Sequence, residues 1–305
     1  MTTSAQLSPV PAADAPEGGS AAVTTTGWRL ALRSFAENRL AVIGVGIVVF
    51  FVLFCFAGPH LYHTNQTSVN VVNSFESPVG GHLLGTDGQG FDELGRIMLG
   101  GQSSLEVGLF AAVIATTIGA LYGTAAGLSG GVVDAIMMRF VDMLLSIPFL
   151  FIVLIVATRF SSTVVSLSII LGMFSWLVPA RLVRAEVLAL RNRGFVAAAR
   201  VMGSSNTRLA LRHLIPNALG VVVVNITFQI ADAIIAVATL GFLGFGLYYP
   251  HTDWGDQLSN GVTYLTAGYW WLIYPVGICL ILVVMAFNFI GDALRDAVDV
   301  RLRRR

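Results

Sequence analysis

The pattern of hydrophobic positions divides this 305-residue chain into long apolar runs separated by polar segments. A helix rises 1.5 Å per residue, so about 20 apolar residues cross a hydrocarbon layer of about 30 Å. Six runs come close to this length or exceed it: residues 40–57, 105–128, 135–157, 164–183, 219–243 and 272–290. We therefore predict an all-α membrane protein with six transmembrane helices.

The polar segments then give the domain organisation. Residues 1–27 are rich in Ala, Ser, Thr, Pro and Gly, which predicts a disordered tail without the basic and apolar blocks of a signal peptide. Residues 28–60 form a flank and the first helix, and 61–104 form a long extracytoplasmic loop. Residues 105–295 form the core of five transmembrane helices, and 296–305 form a basic tail.

Glycine recurs inside the apolar runs, at Gly108, Gly119, Gly123 and Gly127. Small residues at such spacings let helix backbones approach closely in lipid. These positions therefore indicate packing faces rather than a chemical site.

Composition excludes several functions. The chain is 55% hydrophobic and 11% charged, against roughly 25% charged residues in soluble domains. All 18 basic residues are arginine. Without lysine the chain has no P-loop for ATP hydrolysis and no Schiff-base chemistry. No nucleophile–base pair and no nucleic-acid-binding module is visible, so we assign no catalytic residue, no cofactor and no nucleic-acid partner.

The arginines predict the orientation of the chain. If six helices alternate in direction, all arginines except Arg96 and Arg159 fall on one side of the bilayer. By the positive-inside rule that side is the cytoplasm. We therefore predict a multi-pass protein of the cytoplasmic (inner) membrane with both termini in the cytoplasm.

The most basic loop contains the stretch "GFVAAARVMGSSNTRLALRHLIP", residues 194–216, which we call the elbow. Its composition predicts a helix over 195–202 that ends at a left-handed Gly203. A second helix over 207–215 would be capped by a residue of 204–206 and ended by Pro216, which would start the next span. The smooth alanine face suits close approach by another protein. The alternative is an amphipathic helix that rests on anionic lipid, although a plain connection would need only 2–8 residues.

Other residues have two interpretations each. Asp232 lies inside the fifth run, so it either lines a translocation pathway or bonds to a neighbouring Ser or Thr. Trp254, in the outer loop 244–269, belongs either to a lid over that pathway or to the interfacial aromatic belt. Arg139 and Asp142 are spaced for an ion pair on one helix face, which would be either structural or a gate. Pro148 should kink the third span.

The first outer loop, which starts at about residue 60, holds two histidines, His60 and His63, with metal-ligand spacing. His82 and Asp87 follow later in the same loop. Solvated loop histidines explain the same pattern, and we assign no metal ligand.

The elbow carries a resemblance to a known family. "AAARVMG", nine residues and "HLIP" resemble the EAA loop of ABC-importer permeases, E-A-A-x3-G-x9-I-x-L-P, with Ala197 in place of the Glu and His213 in place of the Ile. "RHLIPN" resembles the peptide and nickel branch. Further similar segments are "HLLGTDGQGFDELGRIMLGG" (82–101), "DAIMMRFVDMLLSIPFL" (134–150), "LGFLGFG" (240–246), "WGDQL" (254–258) and "NFIGDALRDAVD" (288–299).

This resemblance implies a type I ABC-importer permease fold in which the elbow is a cytoplasmic coupling helix. The residues that would meet the ATPase are Ala197, Ala198, Ala199, Arg200, Gly203, Ser204, His213 and Pro216. It implies four partner chains besides the lipid bilayer: a second homologous permease subunit, two ABC ATPase subunits and an extracytoplasmic solute-binding protein. ATP and Mg would be bound by the ATPases.

The resemblance also implies uptake of di- or oligopeptides by alternating access. Nickel complexes, glutathione-like molecules and other small solutes are alternative cargoes. An ion-coupled secondary transporter is the alternative of another class. Such proteins show repeated halves and several mid-span acids, whereas this chain shows one clear mid-span acid, Asp232, and no inverted repeat.

Overall fold

A computed structural model describes residues 35–78, 81–160 and 162–303, apart from the side chains of 206, 207 and 299–303. Within these ranges the regular structure is helical and no β-strand occurs. The tail predicted over residues 1–27 and the terminal arginines Arg29, Arg33, Arg304 and Arg305 lie outside the described residues.

The helices follow one another along the chain with mostly short connections, apart from the longer segments 62–92 and 243–253. They are α1 (Arg39–Phe56), α2 (Gly58–Leu61), α3 (Glu93–Ser129), α4 (Gly131–Leu145), α5 (Phe149–Ala157), α6 (Val164–Ser175), α7 (Leu177–Arg191), α8 (Gly194–Val201), α9 (Asn206–Leu209), α10 (Ile215–Phe242), α11 (Trp254–Tyr264) and α12 (Tyr274–Arg303). A π-helical turn, Ala210–Leu214, joins α9 to α10, and short 3-10 turns lie at Val71–Asn73, Leu265–Ala267 and Trp270–Leu272.

Four helical segments of the described chain are long and apolar enough to cross a membrane: Arg39–Phe56, Glu93–Ser129, Ala210–Phe242 and Trp270–Val298. Two further candidates are bent pairs, α4 with α5 at 75° and α6 with α7 at 46°. The total is six if each bent pair forms one span. The six apolar runs of the sequence correspond to these six units.

Helix α3 begins twelve residues before the predicted start of the second span. Asp92 caps it, because its Oδ1 accepts a hydrogen bond from the Gly95 amide at 2.8 Å. The 37 residues of α3 extend about 55 Å at helical rise, more than a hydrocarbon layer of about 30 Å. The segment 61–104 that we predicted as a loop therefore includes the first three turns of this helix.

Prolines explain both bends. The predicted kink at Pro148 is confirmed, since α4 ends at Leu145 and α5 starts at Phe149. The fourth span, predicted over 164–183, is also bent, between α6 and α7. Pro179 has no N–H for the carbonyl of Ser175 four residues earlier, and the Gln229 Nε2 atom of α10 donates to that carbonyl at 2.9 Å instead. Helix α7 then continues to Arg191.

Helix α3 lies at the centre of the bundle and contacts α6, α7 and α10. Its glycines face these neighbours closely. A Cβ atom added to Gly119 would lie 2.5 Å from Pro179 Cβ, and one added to Gly108 would lie 2.6 Å from Ile234 Cγ1. The packing faces predicted from the glycine spacing are confirmed.

Candidate coupling elbow and membrane cavity

The first helix of the elbow is anchored by two inward-facing side chains. Val196 and Ala199 of α8 are buried in a cluster that includes Val187 of α7, Leu209 of α9 and Leu214 of the π turn. Their spacing of three residues places both on one face of α8. The elbow is therefore packed against α7 and the start of α10 rather than extended into solvent.

The opposite face of α8 is uncovered. Ala197, Ala198 and Arg200 are exposed, and beyond them Val201 and Met202 are 89% and 79% exposed. Apolar side chains with this exposure at the end of a helix form a surface that another protein could cover.

The turn after α8 has the geometry predicted from the sequence. Gly203 has a φ of +80°, and the Ser204 amide donates to the Ala199 carbonyl at 3.0 Å. A left-handed residue at this point reverses the chain. Of the cap candidates whose side chains are described, Ser205 is the one used, since its Oγ accepts from the Arg208 amide at 3.3 Å.

The second helix does not end at Pro216, contrary to our prediction. It passes through the π turn, in which the Ile215 amide donates to the Ala210 carbonyl, and Pro216 is the second residue of α10. Proline is tolerated there because first-turn N–H groups have no partner within an α-helix. His213 faces back to α8, with its ring centroid 6.4 Å from that of Phe195.

Ion pairs join α4 and α7 at the end of the bundle that holds the elbow. Arg184 binds Asp134 through two hydrogen bonds, from Nε to Oδ1 at 2.5 Å and from Nη2 to Oδ2 at 2.7 Å. Asp142 pairs with Arg181 and not, as predicted, with Arg139. Asp142 pairs with the more distant Arg181 because the bend at Trp176 brings α7 alongside α4.

The Arg184–Asp134 pair was missed by the sequence prediction. The two residues are 50 positions apart, and no local pattern relates them. The Gly130–Gly131 pair followed three residues later by an acid was the signal that the sequence offered.

A cavity of about 510 Å³ opens where the two bent pairs meet α10. Its wall is mainly apolar and includes Ile147, Pro148 and Phe149 from the first bend and Trp176 from the second. Gln229 and Asp232 face it from α10. Asp232 is the only ionisable group among the described residues that line it. No hydrogen bond of its carboxylate is seen among those residues, so the structural bond to a Ser or Thr is not formed there.

Trp254 is placed differently from its predicted pathway position. It is completely buried, its Nε1 donates to the Ile97 carbonyl at 3.0 Å, and its ring centroid lies 6.0 Å from that of Phe51. The indole thus joins α11 to α1 and α3. This placement does not support a role in lining the pathway.

Among the histidines that follow the first span, His82 contacts an acidic side chain. His82 Nδ1 lies 2.9 Å from Asp92 Oδ2, which also accepts the Tyr62 hydroxyl at 3.0 Å. Burial, together with this contact to Asp92, raises the pKa of Tyr62. Across the described ranges, no three His, Cys, Asp or Glu side chains are grouped to hold a metal ion.

Comparison with known proteins now adds the family. Residues 115–304 match the binding-protein-dependent transport system inner membrane component family. Residues 26–78 match the N-terminal TM domain of oligopeptide transport permease C.

Three curated relatives cover nearly the whole chain. The oligopeptide transport system permease protein OppC of Escherichia coli K12 is 39% identical over 90% of this chain and 92% of its own length. The protein of the same name from Haemophilus influenzae is 38% identical over 90% and 89%. The dipeptide transport system permease protein DppC of Bacillus subtilis is 32% identical over 96% and 90%. The chain therefore belongs to the family of binding-protein-dependent transport system inner membrane components.

Proposed function

We propose that this chain is the transmembrane permease subunit of an ATP-driven importer of di- and oligopeptides. Relatives at 38–39% identity are named oligopeptide permeases, and a further relative is named a dipeptide permease. The chain has no lysine for a P-loop. Two separate ATPase subunits would bind ATP and Mg, and the chain itself would perform no chemistry.

The observation that best supports this proposal is the continuity between the elbow and the cavity. The exposed α8 face, with Ala197, Ala198 and Met202, would seat on an ATPase subunit as an EAA coupling helix. Its buried side packs on Leu214, from which the helix runs without interruption to Phe242. A displacement of α8 would therefore move α10, which places Asp232 at the cavity.

The other elbow residues have defined parts in this proposal. Gly203 would set the direction of the turn with Ser204, and Ala199 would hold α8 against the bundle. Arg200 would meet acidic groups of the ATPase, since its side chain is exposed beside Val201. His213 and Pro216 would connect the elbow to α10.

The cavity would form half of the translocation pathway. One wall is open in this single chain, and a second homologous permease subunit would close it. Alternating access would then follow from movement of α10 against the bent pairs, driven by closure of the ATPase dimer. An extracytoplasmic solute-binding protein would deliver the peptide. Asp232 would bind a cationic group of that peptide, because a carboxylate in an apolar wall favours a positive partner.

The topology follows from the same proposal. Each bent pair counts as one span, so six spans place both termini and the elbow in the cytoplasm. Arg96 and Arg159 are then the arginines on the outer side. The outer part of the molecule would contain the first turns of α3 and all of α11.

Reconstitution tests the proposed function. The full complex in proteoliposomes should take up a radiolabelled tripeptide with ATP, and uptake should stop without ATP even when a proton gradient is imposed. Excess unlabelled peptides should compete, whereas nickel and glutathione should not. Uptake driven by the proton gradient without ATP would contradict the proposal.

A further inference from the structure

A second cavity, of about 140 Å³, lies at the N-terminal end of α3 and shares no described lining residue with the elbow. It is bounded by the loop before α3, the first turn of α3, and α11. Its polar lining among the described residues includes Asp87, Glu93, Arg96 and Gln257.

Glu93 faces this cavity with an unpartnered oxygen. It is the first residue of α3 and only 3% exposed. Its Oε1 atom is buried and has no hydrogen-bond partner among the described residues. A buried carboxylate without a partner is costly. The N-terminus of α3 offsets part of that cost, because the helix dipole favours negative charge there.

Gln257 supplies a second unpartnered acceptor. It is 5% exposed, and its Nε2 atom donates to the Arg96 carbonyl at 2.7 Å. This bond fixes which end of the amide is nitrogen and which is oxygen. The Oε1 atom therefore belongs to the other end, where it is buried without a partner in the described part of the chain.

The one arginine among the described residues beside the cavity, Arg96, does not neutralise Glu93. Arg96 Nε lies 3.9 Å from Asp87 Oδ2, and the guanidinium carbon lies 5.0 Å from the centre of the Phe91 ring. No ion pair within 4 Å joins Arg96 to Glu93 among the described residues. The Arg96 guanidinium therefore lies near two acidic side chains, Asp87 and Glu93. It is closer to Asp87, which is the less buried of the two.

We propose that this cavity binds an alkylammonium group, with Glu93 and Gln257 as acceptors. An ammonium has three donors for the two buried orphan oxygens of Glu93 and Gln257, and its positive charge would stabilise the ionised form of Glu93. A divalent metal fits less well, since no group of three His, Cys, Asp or Glu side chains surrounds a common point in the described ranges. The ammonium would belong to the amino terminus of a peptide solute or to a lysine of an outer partner.

Binding can be tested with methylammonium chloride, using tetramethylammonium chloride as the matched salt. Both are monovalent cations, but tetramethylammonium has no N–H donor. Methylammonium should raise the thermal unfolding midpoint of the full-length protein with its partner subunits in nanodiscs, and tetramethylammonium should not. In Glu93→Gln the apparent affinity for methylammonium should fall at least tenfold.

Glu76→Gln is the control variant, because Glu76 belongs to the same loop but does not line the cavity. It should respond as the wild type does. Gln257→Met, which removes the second acceptor at similar length, should also weaken the response and serves if Glu93→Gln does not fold. Equal midpoint shifts with the two salts in the wild type would overturn the proposal, as would an unchanged response in both cavity variants.

A second arm identifies the source of the ammonium and rests on the proposed function. If the solute supplies it, Glu93→Gln should slow uptake of a free peptide and leave an N-acetylated peptide unaffected. If a lysine of the outer partner supplies the ammonium, Glu93→Gln should slow the uptake of both peptides equally. The salt experiment needs no transport, so failure of the proposed function and failure of this site are distinguishable.

Discussion

Arg184 of α7 binds both carboxylate oxygens of Asp134 of α4, at 2.5 and 2.7 Å. Planar guanidinium and carboxylate groups match in this geometry, which makes such pairs stronger and more directional than single hydrogen bonds. The pair fixes α7 beside the start of α4. Two turns further along α7, Arg191 Nη1 donates to the Gly127 carbonyl of α3 at 3.2 Å. Three helices are therefore tied together at the elbow end.

Asp134→Asn should destabilise the protein by about 1.5–3 kcal/mol, the contribution of hydrogen bonds to a charged group. Asp142→Asn is the matched control. Its pair with Arg181 is nearly half exposed on both sides, and such pairs contribute about 1 kcal/mol or less. Thermal midpoints in nanodiscs compare the two variants. A larger loss for Asp142→Asn would contradict this ranking.

Gly203→Val should abolish ATP-dependent uptake at normal membrane abundance. The site is open, with nothing within 4 Å of an added Cβ, but its φ is +80°, where a side chain costs about 1–2 kcal/mol. The turn would relax and redirect the exposed α8 face. Gly194→Val is an apt control, because that site is equally open and its φ is not positive. Uptake at the wild-type rate by Gly203→Val would refute the coupling role.

Gly123→Ala should lower stability by about 1–3 kcal/mol, as overpacking does. The new Cβ would meet the Ala180 carbonyl and would lie 2.9 Å from the Arg184 amide nitrogen, both backbone atoms of α7. Gly46→Ala in α1 provides the comparison, since nothing lies within 4 Å of its added Cβ. Its unfolding midpoint should be unchanged or slightly higher. Equal effects at the two glycines would show that the α3–α7 contact is looser than described.

Asp232→Asn should reduce uptake of peptides with an extra cationic group more than uptake of acidic ones. The substitution keeps the shape of the side chain and removes its charge from the cavity wall. Asp292→Asn is the control, because Asp292 lies on α12 and does not line the cavity. Competition assays with lysyl and glutamyl peptides measure the preference. Identical preferences in wild type and Asp232→Asn would exclude a pathway role for this carboxylate.

The buried carboxyl group of Asp253 should make the stability of the protein depend on pH. Its Oδ2 accepts from the Leu247 amide at 3.0 Å and its Oδ1 from the Asp256 amide at 2.9 Å. Burial raises the pKa of Asp253 from 3.8 to about 6, although these bonds oppose the rise. The folded state therefore holds the proton more tightly than the unfolded state. This contribution to the free energy of unfolding is complete below about pH 4 and is lost as the pH rises to about 6.

The loss should amount to about 3 kcal/mol, since each pKa unit corresponds to about 1.4 kcal/mol. Unfolding midpoints of wild type and Asp253→Asn, measured from pH 4 to pH 7, isolate this contribution. The difference between the two curves should change through this window. Parallel curves would show that the Asp253 pKa is not raised.

The sequence by itself determined the helical membrane class, the six apolar units, the left-handed Gly203 and the kink at Pro148. Each of these depends on local physics: the length of an apolar run, the missing Cβ of glycine and the missing N–H of proline. Such constraints act within a few residues, so they can be recognised without knowing what lies nearby. The glycines of α3 were also recognisable as packing positions, because their spacing alone places them on one helix face.

Tertiary structure decided which distant groups meet. The Arg184–Asp134 pair, the Gln229 bond to the carbonyl freed by Pro179, and the burial of Trp254 each join segments at least 50 residues apart. The sequence instead paired Asp142 with Arg139 and ended a helix at Pro216. The Asp142 prediction failed because the free energy of a long-range contact depends on the approach of two helices, which no local pattern encodes. The Pro216 prediction failed because the preceding residues form a π turn that continues into α10, with Pro216 in its first turn.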